Sequence, residues 1–74
     1  MYQVDAKATG VNIKRMCEQK NYTPKDLSQL LDTALATPYL WFNGEMMPKL
    51  NTLVSLSKLL GCTVDELLVI DEEE

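Results

Sequence analysis

The chain has 74 residues, an apolar fraction of 46% against 24% charged, and a formal net charge of −4, a globular balance with room for one domain. It contains two cysteines, Cys17 and Cys62, and no histidine, which excludes a four-ligand protein zinc site and nucleophilic catalysis with a histidine base. No apolar run approaches the roughly 20 residues of a membrane helix and Met1–Asp5 does not read as a secretory signal, so a cytoplasmic domain with reduced thiols is expected.

Residues 1–8 read as an arm leading into a first helix from about Lys7 to Lys20, with Val11, Ile13, Met16 and Cys17 on a rough apolar stripe. Asn21-Tyr22-Thr23-Pro24 interrupts the pattern and opens a second helix. Thr23 serves as N-cap, Pro24 sits at N1 where its missing N–H costs nothing, and Asp26 lies near the positive end of the helix dipole. Leu27, Leu30 and Leu31 give that helix an i, i+3, i+4 face. A short middle helix fits between Thr37-Pro38, as N-cap and N1, and Gly44 as its stop. From Lys49 a further helix carries Leu50, Leu53, Leu56 and Leu60 at helical spacing and ends at Gly61. Thr63-Val64-Asp65-Glu66 is a capping box for a last short helix through about Leu68. The fold class expected is all-α, five helices packed over residues 9–70, with residues 71–74 as an acidic, solvated tail.

The charge divides unevenly. Asp65, Glu66 and Asp71–Glu74 place six of the eleven acids in the last ten residues, so residues 1–64 carry seven basic and five acidic groups, a balance of +2. The remaining carboxylates are scattered, and Gly10, Gly44 and Gly61 form no phosphate-binding loop, so no catalytic residue, metal or cofactor is expected.

Ile13-Lys14-Arg15-Met16, Tyr22-Thr23-Pro24-Lys25-Asp26-Leu27, Leu30-Leu31, Trp41-x-Asn43-Gly44-Glu45-x-Met47-Pro48 and Leu56-Ser57-Lys58-Leu59-Leu60-Gly61-Cys62-Thr63-Val64-Asp65-Glu66-Leu67-Leu68 occur in the order found in one family. Over roughly residues 9–68 the chain resembles the lambda-repressor and Cro-like helix-turn-helix proteins. The resemblance implies a compact five-helix DNA-binding domain with the helix-turn-helix at about residues 23–43. It further implies a bacterial or phage transcriptional regulator bound to double-stranded DNA, its second helix at Pro24–Leu31 and its recognition helix within Ala34–Asn43. In such proteins the recognition helix reads base edges in the major groove while flanking groups grip phosphates.

Carried onto this chain, the outward positions are Ala36, Thr37, Tyr39, Leu40 and Asn43. Thr37, Tyr39 and Asn43 can hydrogen-bond to bases, and Leu40 or Ala36 can touch a thymine methyl. Lys14, Lys25 and Lys49, with free N–H groups near Thr23 and Lys25, are the phosphate-gripping candidates. The sequence departs from the family at several of its contact positions. Pro38 stands where a β-branched residue is usual. A mid-helix proline costs about 3 kcal/mol, so the helix is expected to begin at Thr37-Pro38 and keep some two turns. Pro24, Cys17 and Glu45 replace a glutamine, an arginine and a basic residue, and the recognition face has no Arg, Lys or Gln.

Other residues have plainer readings. Trp41 and Pro38 are expected in the core, Tyr22 as a packing aromatic before the Thr23 cap, and Cys17 and Cys62 as small buried hydrophobes. Tyr39, Leu40 and Phe42 are expected to face outward together, which leaves an alternative: a protein-interaction module of the same fold, binding a protein partner or a second copy through the Tyr39–Phe42 surface. The family's usual dimer suggests a homodimer here, with Tyr2-Gln3-Val4 and Leu68-Val69-Ile70 as apolar ends able to pair across subunits.

Overall fold

A computed structural model describes residues 1–72. The order of elements is β1 (Tyr2–Val4), α1 (Ala6–Gln19), α2 (Pro24–Leu30), α3 (Ala36–Phe42), α4 (Leu50–Leu60), α5 (Val64–Leu67) and β2 (Ile70–Glu72). The five expected helices are present, and the expected all-α class needs one correction. β1 and β2 form an antiparallel two-stranded ribbon with Tyr2 opposite Glu72, Gln3 opposite Asp71 and Val4 opposite Ile70. Of the two ends expected to pair across subunits, Tyr2–Val4 and Ile70 meet within one chain, while Leu68 and Val69 precede β2. The expected acidic tail is shorter for the same reason, because Asp71 and Glu72 belong to β2; Glu73 and Glu74 lie outside the described residues.

Four helices end in one way. In each, a residue with positive φ follows the last turn, and the next N–H returns to a carbonyl five residues earlier, which satisfies an orphan acceptor. α1 ends through Asn21 (φ 63°) with the Tyr22 N–H on Cys17 O, and α2 through Asp32 (φ 54°) with the Thr33 N–H on Ser28 O, both 2.9 Å. α3 ends through Gly44 with the Glu45 N–H on Leu40 O, and α4 through Gly61 with the Cys62 N–H on Ser57 O. Asn and Asp tolerate this conformation better than most side chains, which is why such short connections can be built with only two glycines.

The core joins all five helices: Ile13 and Cys17 from α1, Leu27 from α2, Trp41 and Phe42 from α3, Leu53, Leu56 and Leu60 from α4, and Leu67 from α5. The stripe of α1 differs from the expected one. Its buried residues are Thr9, Gly10, Ile13 and Cys17, nearly four apart, and Val11 points to solvent. Leu30 and Leu50 are exposed as well, because the inward lines are Leu27–Leu31 on α2 and Leu53–Leu56–Leu60 on α4. Polar groups then tie the C-terminal segment to α1. Thr9 Oγ1 accepts the Val69 N–H at 2.9 Å, and Asn12 Nδ2 donates to the Glu66 and Leu67 carbonyls at 2.9 and 3.1 Å. These three bonds, with the ribbon, tie the C-terminal segment to α1 and β1.

Burial lifts the Cys17 thiol pKa to about 11, with smaller contributions from nearby Cys62 and Glu18. It is therefore protonated and unreactive at neutral pH, which suits its place in the core. Both cysteines are free.

Candidate functional site

α3 is held by its own sequence period. Pro38, Trp41 and Phe42 turn inward, while Ala36, Tyr39 and Asn43 are exposed and Thr37 and Leu40 are half-buried. The helix begins at Ala36, ahead of the expected Thr37-Pro38 start. Pro38 is then its third residue, still inside the first turn, where no intrahelical N–H bond is required of it. The Thr37 N–H donates to Ala34 O at 3.0 Å, so the chain enters α3 through a tight turn with Leu35 already helical and no side-chain cap. Phe42 is 9% exposed and part of the core, whereas Tyr39 is 53% exposed. The outward apolar face expected from Tyr39, Leu40 and Phe42 thus loses Phe42, and only the exposed Tyr39 and the half-buried Leu40 remain of it.

Two grooves run along the flanks of α3. One, of about 420 Å³, is walled by Asp32, Thr33 and Ala34 of the α2–α3 turn, by Thr37 and Trp41 of α3, and by Lys49 and Thr52 at the start of α4. The other, of about 120 Å³, is walled by Lys14 and Glu18 of α1, Tyr22 and Pro24, and by Tyr39, Phe42 and Asn43 of α3. The candidate residues are therefore divided. Thr37 joins Lys49 on one flank, Tyr39 and Asn43 join Lys14 on the other, and Ala36 and Leu40 line neither groove. Each groove beside the exposed ridge of α3 has one lysine in its wall. Asp32, Thr33, Ala34 and Thr52 were not among the candidates, since neither charge nor periodicity marks a turn residue as lining a groove.

The N-terminus of α2 corrects another expectation. The Thr23 N–H donates to Asp26 Oδ2 at 2.9 Å, and the Asp26 N–H donates to Thr23 Oγ1 at 3.1 Å. A complete capping box thus occupies the Thr23 and Asp26 N–H groups, two of the donors expected near Thr23 and Lys25 for phosphate, and the exposed Lys25 between them remains as the cationic group there. Hydrogen bonds from the Thr23 backbone and side chain hold the Asp26 carboxyl below its ordinary pKa of 3.8. A depressed carboxyl pKa contributes stability that is present above 3.8 and disappears as pH falls through the lower folded-state value. Thr23→Ala is expected to destabilise the domain by about 1 kcal/mol at neutral pH. The difference from the parent chain in urea midpoint should shrink once the pH drops below 3.8. At the start of α4, by contrast, Lys49 makes no side-chain cap and is exposed, and it lines the larger groove with Thr52.

No helix among the described residues is long and apolar enough to cross a membrane. The family model of the Cro/C1-type HTH DNA-binding domain matches residues 12–73. No curated protein and no solved structure matches the chain significantly.

Proposed function

Because the chain belongs to the family of Cro/C1-type helix-turn-helix DNA-binding domains, we propose that it is a sequence-specific transcriptional regulator that places α2 and α3 in the major groove of double-stranded DNA in the cytoplasm. The observation that carries this reading is the arrangement around α3: an exposed ridge with a groove on either side, each with one lysine, Lys49 or Lys14, in its wall beside one carboxylate, Asp32 or Glu18. A major groove is about 12 Å wide and bounded by two phosphate backbones, so a helix lying in it needs cationic groups on both flanks and neutral readers between them. Lys14 and Lys49 supply the first, with Lys25 beside the α2 cap. Thr37, Tyr39 and Asn43 supply hydrogen-bonding groups, and Ala36 and Leu40 supply apolar contact for a thymine methyl.

With no Arg or Gln on the ridge, the specific part of the affinity rests on few groups. Thr37→Ala and Asn43→Ala are each expected to weaken binding to the preferred site by about 1–3 kcal/mol and to relax the choice of base they contact. Lys25→Ala should weaken binding to all duplexes about equally and reduce the salt slope by about one. Asn43 and Lys25 are exposed, so their loss should leave the thermal midpoint nearly unchanged.

The test is an amide NMR titration with a mixed pool of short duplexes at low salt, repeated at about 200 mM, since non-specific affinity is mainly electrostatic. Shifts at Thr23–Ser28, Ala36–Asn43, Lys14 and Lys49 that vanish with added salt are expected. No shifts at low salt would overturn the reading.

A further inference from the structure

The chain contains four asparagines, Asn12, Asn21, Asn43 and Asn51, and only Asn43 is followed by glycine. Asparagine is thermolabile because the main-chain nitrogen of the next residue can attack its side-chain carbonyl carbon and close a five-membered ring. Ile13, Tyr22 and Thr52 follow the other three, and their side chains crowd the attacking nitrogen, whereas Gly44 has no Cβ to do so. Asn43 is the C-cap of α3 and exposed, at the end of the outward ridge. Among the described residues nothing hydrogen-bonds its carboxamide.

The fold restrains ring closure without preventing it. Asn43 has ψ −7°, a helical value that keeps the Gly44 nitrogen out of line with the side chain, and the Gly44 N–H donates to Trp41 O at 3.1 Å. Closure therefore needs rotation about that ψ and loss of that bond. Both belong to the last turn of a seven-residue helix, and a helix end opens at far smaller cost than a core does. Trp41 and Phe42 are held in the core, so the opening is confined to Asn43, Gly44 and the N–H groups of Glu45 and Met46 that return to Leu40 O.

We propose that Asn43–Gly44 is a self-modifying site that switches off the reading ridge of α3 with time. In the opened turn the Gly44 nitrogen attacks Asn43 Cγ. The N–Cγ bond forms, the Cγ–Nδ2 bond breaks, and Nδ2 leaves as ammonia with the proton that the Gly44 nitrogen gives up. Water then opens the cyclic imide. Cleavage of the new N–Cγ bond leaves an aspartate at position 43, and cleavage of the original peptide bond leaves an isoaspartate, its main chain routed through the side-chain methylene. No electron is transferred, and water is the only co-reactant.

Both products replace a neutral amide, donor and acceptor at once, by a carboxylate on the ridge. Its effect as a switch rests on the DNA-binding reading, in which that ridge lies between two rows of phosphates; the modification itself does not. The isoaspartate does more. Gly44 packs so closely on α1 that a Cβ there would lie 2.6 Å from Lys7 Cα and 3.0 Å from Lys7 N. A methylene inserted into the main chain just before Gly44 must push the turn away from α1, so this form loses stability as well, whereas the aspartate form changes only the charge.

Incubation of the folded 74-residue chain at mildly alkaline pH, with released ammonia measured and peptides mapped by mass spectrometry, tests the site. Conversion at Asn43, ahead of Asn12, Asn21 and Asn51 and faster as pH rises, is expected. Conversion that starts at another asparagine overturns the site. Asn43→Gln adds a methylene that disfavours the ring and should abolish the release, and release that persists also overturns it. In urea the turn is always open, so the parent chain should react at least about tenfold faster than when folded. Equal rates overturn the restraint by α3, and a folded chain that stays intact while the unfolded one is fully converted overturns the proposal. The aged chain, and Asn43→Asp unaged, should bind the low-salt duplex pool about fivefold more weakly than the fresh parent, the effect of one added charge about 4 Å from a phosphate in water. Conversion with duplex affinity unchanged overturns the switch, whereas a parent chain that modifies itself and binds no duplex overturns only the DNA-binding reading.

Discussion

Trp41→Ala is expected to leave the chain largely unfolded at room temperature. Trp41 is 3% exposed and belongs to the cluster that joins all five helices. Truncating a buried aromatic of this size costs about 3–5 kcal/mol in lost transfer energy and cavity, and a core this small supplies about that much in total. Far-UV circular dichroism and the thermal midpoint read the outcome. A folded Trp41→Ala chain with weakened affinity for DNA would instead assign the indole to base stacking, because a stacking platform sits on the surface and holds no core together. Trp41→Phe keeps most of the buried area and should retain the fold at a lower midpoint, which separates loss of packing from loss of an aromatic.

Gly10→Ala is the second large effect, and its sign is the informative part. In an ordinary helix interior this change stabilises, since Ala is better than Gly by about 1 kcal/mol. Here a Cβ at position 10 would lie 2.7 Å from the Phe42 carbonyl oxygen and closer still to that of Trp41. Both are backbone atoms at the C-terminal end of α3 and cannot swing aside, so α1 and α3 must separate. Overpacking of this kind costs about 1–3 kcal/mol, and in a domain of this size a loss of 2 kcal/mol lowers the thermal midpoint by about 8–16 °C. Val11→Ala, on the solvent side of the same helix, should stay within about 0.5 kcal/mol and serves as the control. Because α1 is what α3 rests on, duplex affinity should fall in Gly10→Ala and not in Val11→Ala. An unchanged midpoint in Gly10→Ala would mean that the two helices do not cross at Gly10.

The helix ends were legible because their signals span only a few residues. Thr23 with Asp26 and Thr63 with Glu66 form reciprocal boxes, and Asn21, Gly44 and Gly61 take the positive φ values that stop three helices. The inward turn of Pro38 and Trp41 followed from spacing on one helix. Asp32 shows the limit of that approach. It ends α2 as Gly44 ends α3, but an aspartate in a polar turn has many local uses, and nothing nearby in sequence marks this one.

The outward residues of α3 were legible too, with Phe42 misplaced and Leu40 half-buried. Their division between two flanking grooves was not, because each groove is completed by a residue distant in the chain: Lys49 on one side and Lys14 on the other. A period read along one helix says which side chains share a face. It does not say what stands opposite that face.

The sequence by itself thus determined the number and order of the helices, most of their ends and the family the chain resembles, since propensity, capping and turn chemistry act within a few residues. Only the tertiary structure decided that Gly10 is a contact point, that Val11, Leu30 and Leu50 stay outside, that Thr9 and Asn12 hold the C-terminal segment, and that Tyr2–Val4 pairs with Ile70–Glu72. Each of these joins surfaces far apart in the chain. Three exposed residues at either end carry no period of their own, and they become strands only because the packed helices bring them within hydrogen-bonding reach.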